Sequence, residues 1–132
     1  MTVRPRPLSP HMQIWRWHIT MVASIAFRVT IGAASVGAVI LTVWLAALAG
    51  GRESFARATE LSASPLGLIV WIGLTVVLFS LLLNGARHLT NDFTVGLDLK
   101  TSNLMSWTAV VGPFVLTAIL WGYLFASGSV SL

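Results

Sequence analysis

The chain has no cysteine, a single tyrosine, and few charged residues, which make up 9% of its 132 positions. Without thiolates, this chain by itself holds no iron–sulfur cluster and no covalently attached c-type heme. It also lacks a nucleotide-binding fingerprint, a phosphate-binding loop and a nucleophile–base pair. These absences exclude an independent enzyme of the common classes and indicate one piece of a larger assembly.

Hydrophobic residues, by contrast, make up 56% of the chain and form three long stretches that are nearly free of charge. Each stretch exceeds the roughly 20 apolar residues that cross a ~30 Å hydrocarbon core as a helix. Because backbone polar groups in lipid must be satisfied internally, we expect an all-α membrane protein with three transmembrane helices. The predicted spans cover about residues 21–49, 66–88 and 105–128, after an N-terminal strap over residues 1–20, in one membrane-anchor domain over residues 1–132.

The positions of the basic residues predict an orientation. Lysine and arginine gather before the first span and around the connection between the second and third spans, whereas the other connection has two arginines offset by two glutamates. The positive-inside rule then predicts the N-terminus inside and the C-terminus outside. The net charge of +4 is explained by this topology. No basic stripe interleaved with aromatic residues is found, so no nucleic-acid partner is expected.

Arg28 is the most unusual residue because it is charged and lies near the start of the first predicted span. A guanidinium at membrane depth costs about 2.5–3.5 kcal/mol, so such a residue usually faces a partner, a ligand or a water-filled cavity. Ser24 lies one helical turn earlier on the same face. Together they offer the donors that a lipid-soluble carbonyl compound needs. The alternative is that Arg28 snorkels to the headgroups and Ser24 bonds back to a helix carbonyl.

Three phrases carry a resemblance to a known family. The strap contains RPLSPHMQIW over residues 6–15, SIAFRVT follows over residues 24–30, and GARHLTND closes the second span over residues 85–92. In this order the phrases resemble R-P-L-S-P-H-L-x-I-Y, S-I-x-H-R-x-T-G and G-x-R-H-L-x-x-D of the succinate dehydrogenase cytochrome b membrane-anchor subunit, the larger anchor of respiratory complex II. The resemblance covers essentially the whole chain.

The resemblance implies a non-catalytic, quinone-binding subunit of a succinate:quinone oxidoreductase. Such an anchor pairs with a second membrane-anchor subunit and holds a flavoprotein and an iron–sulfur subunit at the inner membrane face. The complex passes electrons from succinate to ubiquinone, in the tricarboxylic acid cycle and the respiratory chain. By matching positions, the resemblance assigns Ser24, Arg28 and Asp92 to the quinone site. A fixed positive charge there favours the negative charge that develops on a quinone oxygen during reduction.

The resemblance also implies heme b, and here the sequence departs from the family. The family's heme-ligating histidine lies four residues before the glycine of G-x-R-H, a position that is Leu81 in this chain, and the histidine before the family's arginine is Phe27. Leucine does not ligate iron. One alternative is that His88 ligates a heme in a displaced position, with Arg28 in the environment of that heme. A heme held by the partner anchor alone is the other alternative.

Other functions remain open at the level of sequence. A fumarate reductase anchor has the same architecture and runs the reaction in reverse. From a different class, the chain could serve as a small non-redox transport or scaffold subunit, although no inverted repeat or polar stripe marks a transport path. Co-purification of a flavoprotein and an iron–sulfur protein separates these hypotheses. The lack of a recognisable transit segment favours a bacterial inner (cytoplasmic) membrane over a mitochondrial one.

Overall fold

A computed structural model describes residue 10, residues 13–93 and residues 98–128 of the chain. These residues form four helices and no strand: α1 (Ile19–Ala49), α2 (Arg52–Ala63), α3 (Pro65–Asp92) and α4 (Leu99–Ala126). α1, α3 and α4 are long and apolar enough to cross a membrane. The predicted all-α class with three membrane-crossing helices is therefore confirmed. Most of the predicted strap, including His11, lies outside the described residues.

Polar caps set where the second and third long helices begin. The Ser64 hydroxyl accepts a hydrogen bond from the Gly67 N–H at 3.1 Å, with Pro65 in the first turn of α3. Asp98 accepts from the Thr101 N–H at 3.2 Å and starts α4. Side-chain and backbone hydrogen bonds from Thr101 hold the pKa of Asp98 below its ordinary value. α4 consequently begins at Leu99, ahead of the span predicted from hydropathy alone.

The helix α2 was not expected from the sequence, where its residues read only as a polar connection. Its twelve residues rise about 18 Å, too short to cross the hydrocarbon core. Gly51 reverses the chain before it with φ 102°, a conformation that favours glycine. Within α2, the Arg57 guanidinium donates to Glu53 at 2.6 Å, a helix-stabilising pair one turn apart. Residues 52–63 also contain no proline or glycine, so nothing breaks the helix.

α3 packs antiparallel against both α1 and α4. The Trp121 indole N–H donates to the Thr75 hydroxyl at 3.2 Å. Leu83 packs onto Gly112, where an added Cβ would lie 2.6 Å from the leucine Cδ1. Small and polar residues at helical spacing form the buried stripe of α4, and small residues let membrane helices approach closely. That stripe consists of Ser106, Ala109, Pro113 and Thr117.

Aromatic rings join three helices at the opposite end of the bundle from the α3–α4 connection. Trp44 of α1 has its ring 5.4 Å from Phe55 of α2 and 6.3 Å from Trp71 of α3. These edge-to-face contacts are the arrangement that aromatic pairs prefer. They attach α2 to the ends of the two membrane-crossing helices that it connects.

Candidate functional site

The beginning of α1, the end of α3 and the beginning of α4 lie together at one end of the bundle. Phe27 contacts His88 with ring centroids 5.5 Å apart, which joins α1 to α3. Thr90 of α3 donates to the Met105 sulfur of α4 at 3.8 Å. We call this the basic end, because four of the basic residues occur on or beside these segments: Arg16, Arg28, Arg87 and Lys100.

Arg28 lies within the apolar length of α1 and points out of the bundle. It is nine positions after Ile19, which places it about 13 Å along the helix axis. Its side chain is exposed, and among the described residues it has no hydrogen bond or ion pair. An exposed guanidinium without a counter-ion in the described part of the chain is available to a ligand or to another subunit.

Ser24 shares the exposed side of α1 with Arg28 and keeps its hydroxyl free. Other hydroxyls of this helix bond back to a carbonyl one turn earlier: Thr30 donates to Ala26 at 2.9 Å and Ser35 donates to Ile31 at 3.1 Å. Ser24 makes no such bond to any described residue. The structure therefore does not contain the alternative hydrogen bond from the Ser24 hydroxyl to a carbonyl of its own helix. Two unused donors, a hydroxyl and a guanidinium, lie one turn apart on one helix face.

His88 and Asp92 of α3 lie at the same end of the bundle as these donors. The contact of Phe27 with His88 fixes the register of the two antiparallel helices. One turn further along α3, Asp92 then lies at about the depth of Ser24. All four predicted site residues, Ser24, Arg28, His88 and Asp92, are exposed. The chain thus offers an open polar face at the basic end, and a second surface is needed to enclose a ligand there.

A separate groove of about 320 Å³ lies between α1 and α3, nearer the middle of the bundle. Leu81 lines it, together with small residues of α1 such as Gly37 and Ala38. The hydroxyl of Thr75 is already engaged, since it donates to the Trp71 carbonyl at 2.8 Å and accepts from an indole N–H. The groove therefore presents an almost wholly apolar wall.

Comparison with known proteins shows what the chain is similar to. The sequence profile of the succinate dehydrogenase/fumarate reductase transmembrane subunit matches residues 2–120. The chain belongs to this family. It is 36% identical to the succinate dehydrogenase cytochrome b556 subunit of Paracoccus denitrificans, over 86% of this chain and 88% of that protein.

Further relatives in the succinate dehydrogenase family support the same conclusion. The cytochrome b556 subunit of Rickettsia conorii is 34% identical over 88% of this chain and 90% of that protein. The mitochondrial cytochrome b560 subunit of Mus musculus is 31% identical over 92% of this chain and 70% of that protein. The resemblance deduced from the three phrases is therefore confirmed at the level of the whole chain.

The names of these succinate dehydrogenase relatives refer to a b-type cytochrome, so the fit of a heme to this chain needs testing. Iron in such proteins takes axial donors such as histidine or methionine. The position expected for the ligand is Leu81, in the wall of the apolar groove. His88 lies about 10 Å further along α3, against Phe27. The residues of the groove do not fit an axial heme site.

Asn84 is the residue that sequence reasoning overlooked. It is 3% exposed, and its amide Nδ2 donates to the Ser80 carbonyl at 2.9 Å. Its Oδ1 has no hydrogen-bond partner among the described residues. A buried acceptor without a partner costs about 1–3 kcal/mol, more in a low-dielectric interior. The available signal was a lone amide within the apolar run of the second span, one turn before His88.

Proposed function

We propose that this chain is a membrane-anchor subunit of a succinate dehydrogenase, located in a bacterial inner (cytoplasmic) membrane. It holds the flavoprotein and iron–sulfur subunits at the membrane beside a second anchor subunit. It also contributes one wall of the site where electrons from succinate reduce ubiquinone. The relatives found in bacteria and the three apolar helices support the location.

The observation that carries the quinone role is the pair of free donors on α1. A quinone is apolar apart from its carbonyl oxygens, so it reaches the site through lipid and needs donors at those oxygens. The Arg28 guanidinium and the Ser24 hydroxyl lie one turn apart, exposed and unpaired within the described chain. A guanidinium stabilises the negative charge that builds on a quinone oxygen during reduction, and it does so more strongly in a water-poor site than in water.

Asp92 is suited to deliver protons to the same face. Reduction of a quinone to a quinol takes up two protons as well as two electrons. Asp92 ends α3 and lies at about the depth of Ser24, so its carboxyl is suited to hand protons from the aqueous side to this face. The basic end therefore combines charge stabilisation at membrane depth with a proton-exchanging group at the surface.

The open geometry agrees with a site shared between subunits. A quinone bound only to this chain would remain in contact with lipid on one side, because the candidate residues are all exposed. A surface from the iron–sulfur subunit or the second anchor would close the site and bring an electron donor close. The orientation proposed from the basic residues directs this end to the inner side, where the iron–sulfur subunit would dock.

A fumarate reductase anchor is the second candidate, because the family includes both enzymes. The same face would then bind a quinol and release its electrons toward fumarate. The ratio of succinate oxidation to fumarate reduction by the purified complex distinguishes the two directions.

Replacing Arg28 tests the proposed quinone role. In the assembled complex, Arg28→Leu should lower succinate–quinone reductase activity roughly ten- to hundredfold, because a charge-assisted hydrogen bond contributes about 1.5–3 kcal/mol. Succinate oxidation with a soluble dye, which accepts electrons before the quinone site, should be unchanged.

Arg57→Leu provides the matched control. It removes a guanidinium from the exposed surface of α2, where Arg57 pairs with Glu53. Both activities should stay within about twofold of the native complex, since such exposed pairs contribute little. Equal quinone reductase activities in the Arg28→Leu and Arg57→Leu complexes would contradict the proposed role of Arg28.

A further inference from the structure

We infer that this chain supplies no axial ligand to a heme iron at membrane depth, so that any heme in its complex is ligated by residues of other subunits. The inference rests on the proposed function, because it concerns the assembled succinate dehydrogenase. The names of the cytochrome b relatives suggest heme binding, and the inference is that this chain does not provide the ligand for it.

The first support is the distribution of side chains that bind heme iron. Histidine, methionine, cysteine, tyrosine and lysine are the candidate donors. None of these residue types occurs over residues 22–87 or over residues 106–122. Those ranges include nearly all of α1 and α3 and the middle of α4. The absence therefore extends through the membrane-crossing part of the chain and is not confined to Leu81.

Among the residues that the structure describes, the candidate donors that remain lie at or beside the ends of the helices. His18 immediately precedes α1, Met21 lies in its first turn, and the Met105 sulfur accepts a hydrogen bond from Thr90 at 3.8 Å. Tyr123 lies near the other end of α4 and is 69% exposed. A heme ligated by any of these would lie at an end of the bundle and not beside the groove.

His88 is the strongest remaining candidate, and its surroundings argue against it. Its ring packs on Phe27 with centroids 5.5 Å apart and planes at 49°. It lies about 10 Å along α3 from Leu81. A heme on His88 would have to lie that much closer to the end of α3, beside the exposed polar face that we assign to quinone. In this account His88 packs its ring on Phe27 and is not a heme ligand.

The groove beside Leu81 gives independent support. The groove has a volume of about 320 Å³ and is lined mainly by aliphatic side chains and Trp71, and the hydroxyl of Thr75 makes two hydrogen bonds there. A wall of this kind makes mainly van der Waals contacts with the surface that covers it in the assembly. It contains no histidine, methionine, cysteine, tyrosine or lysine side chain that could ligate a heme iron.

The test is a dithionite-reduced minus oxidised spectrum of the complex, purified through a tag on this chain, with heme and flavin quantified. The native complex is compared with His88→Gln and His18→Gln complexes. We expect the heme-to-flavin ratio and the b-type absorption bands to be the same in all three, whether that ratio is one or zero. Loss of the bands, or a shift of them, in either variant would overturn the inference.

A second variant keeps the test decisive if His88→Gln prevents assembly. His88→Phe preserves a ring against Phe27 and removes the nitrogen donors, so assembly and unchanged heme bands are expected. A heme-free His88→Phe complex that retains its flavin, beside a heme-containing native complex, would refute the inference. Co-purification of flavin reports on the proposed function separately, so the two failures are distinguishable.

Discussion

At the scale of single residues, the account depends on two donors that the fold leaves unused. Several hydroxyls on the long helices donate to their own backbone, as in Thr30 and Ser35 of α1. Ser24 has no such bond, and Arg28 has no counter-ion, among the described residues. A buried or lipid-facing charge without a partner is costly, so its retention is best explained by a ligand or another subunit. The sequence predicted that Ser24 and Arg28 lie one helical turn apart, but their exposure could be determined only from the structure.

Ser24→Ala should therefore weaken quinone reduction without affecting assembly. A neutral hydrogen bond contributes about 0.5–1.5 kcal/mol, so quinone reductase activity in the complex should fall roughly two- to tenfold. Ser35→Ala is the matched control, because its hydroxyl bonds to its own helix. Steady-state assays with a soluble quinone measure both complexes. If the two alanine variants had the same activity, Ser24 would not contact the quinone.

At the scale of helices, the sequence predicted the membrane-crossing elements well and the connection poorly. Long apolar runs determine a membrane helix almost alone, because lipid leaves the backbone no alternative. The residues of α2 carry no such constraint, since they are polar and their helix depends on local pairs such as Arg57 with Glu53 and on the contact of Phe55 with Trp44. Contacts of that kind appear only once the chain is folded.

The proposed orientation makes a prediction about these elements. The native chain has no cysteine, so a single introduced cysteine is the only thiol on this subunit. Thr59→Cys in α2 should react with a membrane-impermeant maleimide in intact cells. Leu99→Cys, exposed at the start of α4, should react only in inverted membrane vesicles. The native chain controls for background labelling. The opposite pattern would place the basic end outside and contradict the proposed orientation.

At the scale of the whole molecule, the helix bundle leaves surfaces that other subunits would cover. Few side chains are buried in the three-helix bundle, and its candidate site is a face without an opposing wall. The three phrases, in their order along the chain, were enough to predict the family. The site could not be fully predicted, because its other wall belongs to partner subunits. Heme binding is where family membership and this chain's own residues diverge.

The most direct test of the central claim is purification of the native complex through a tag on this chain. We predict that a flavoprotein and an iron–sulfur protein co-purify with it and that the preparation reduces ubiquinone with electrons from succinate. The same tag on an unrelated three-helix membrane protein is the control and should recover neither partner. Recovery of this chain without flavin, and without succinate–quinone reductase activity, would contradict the account.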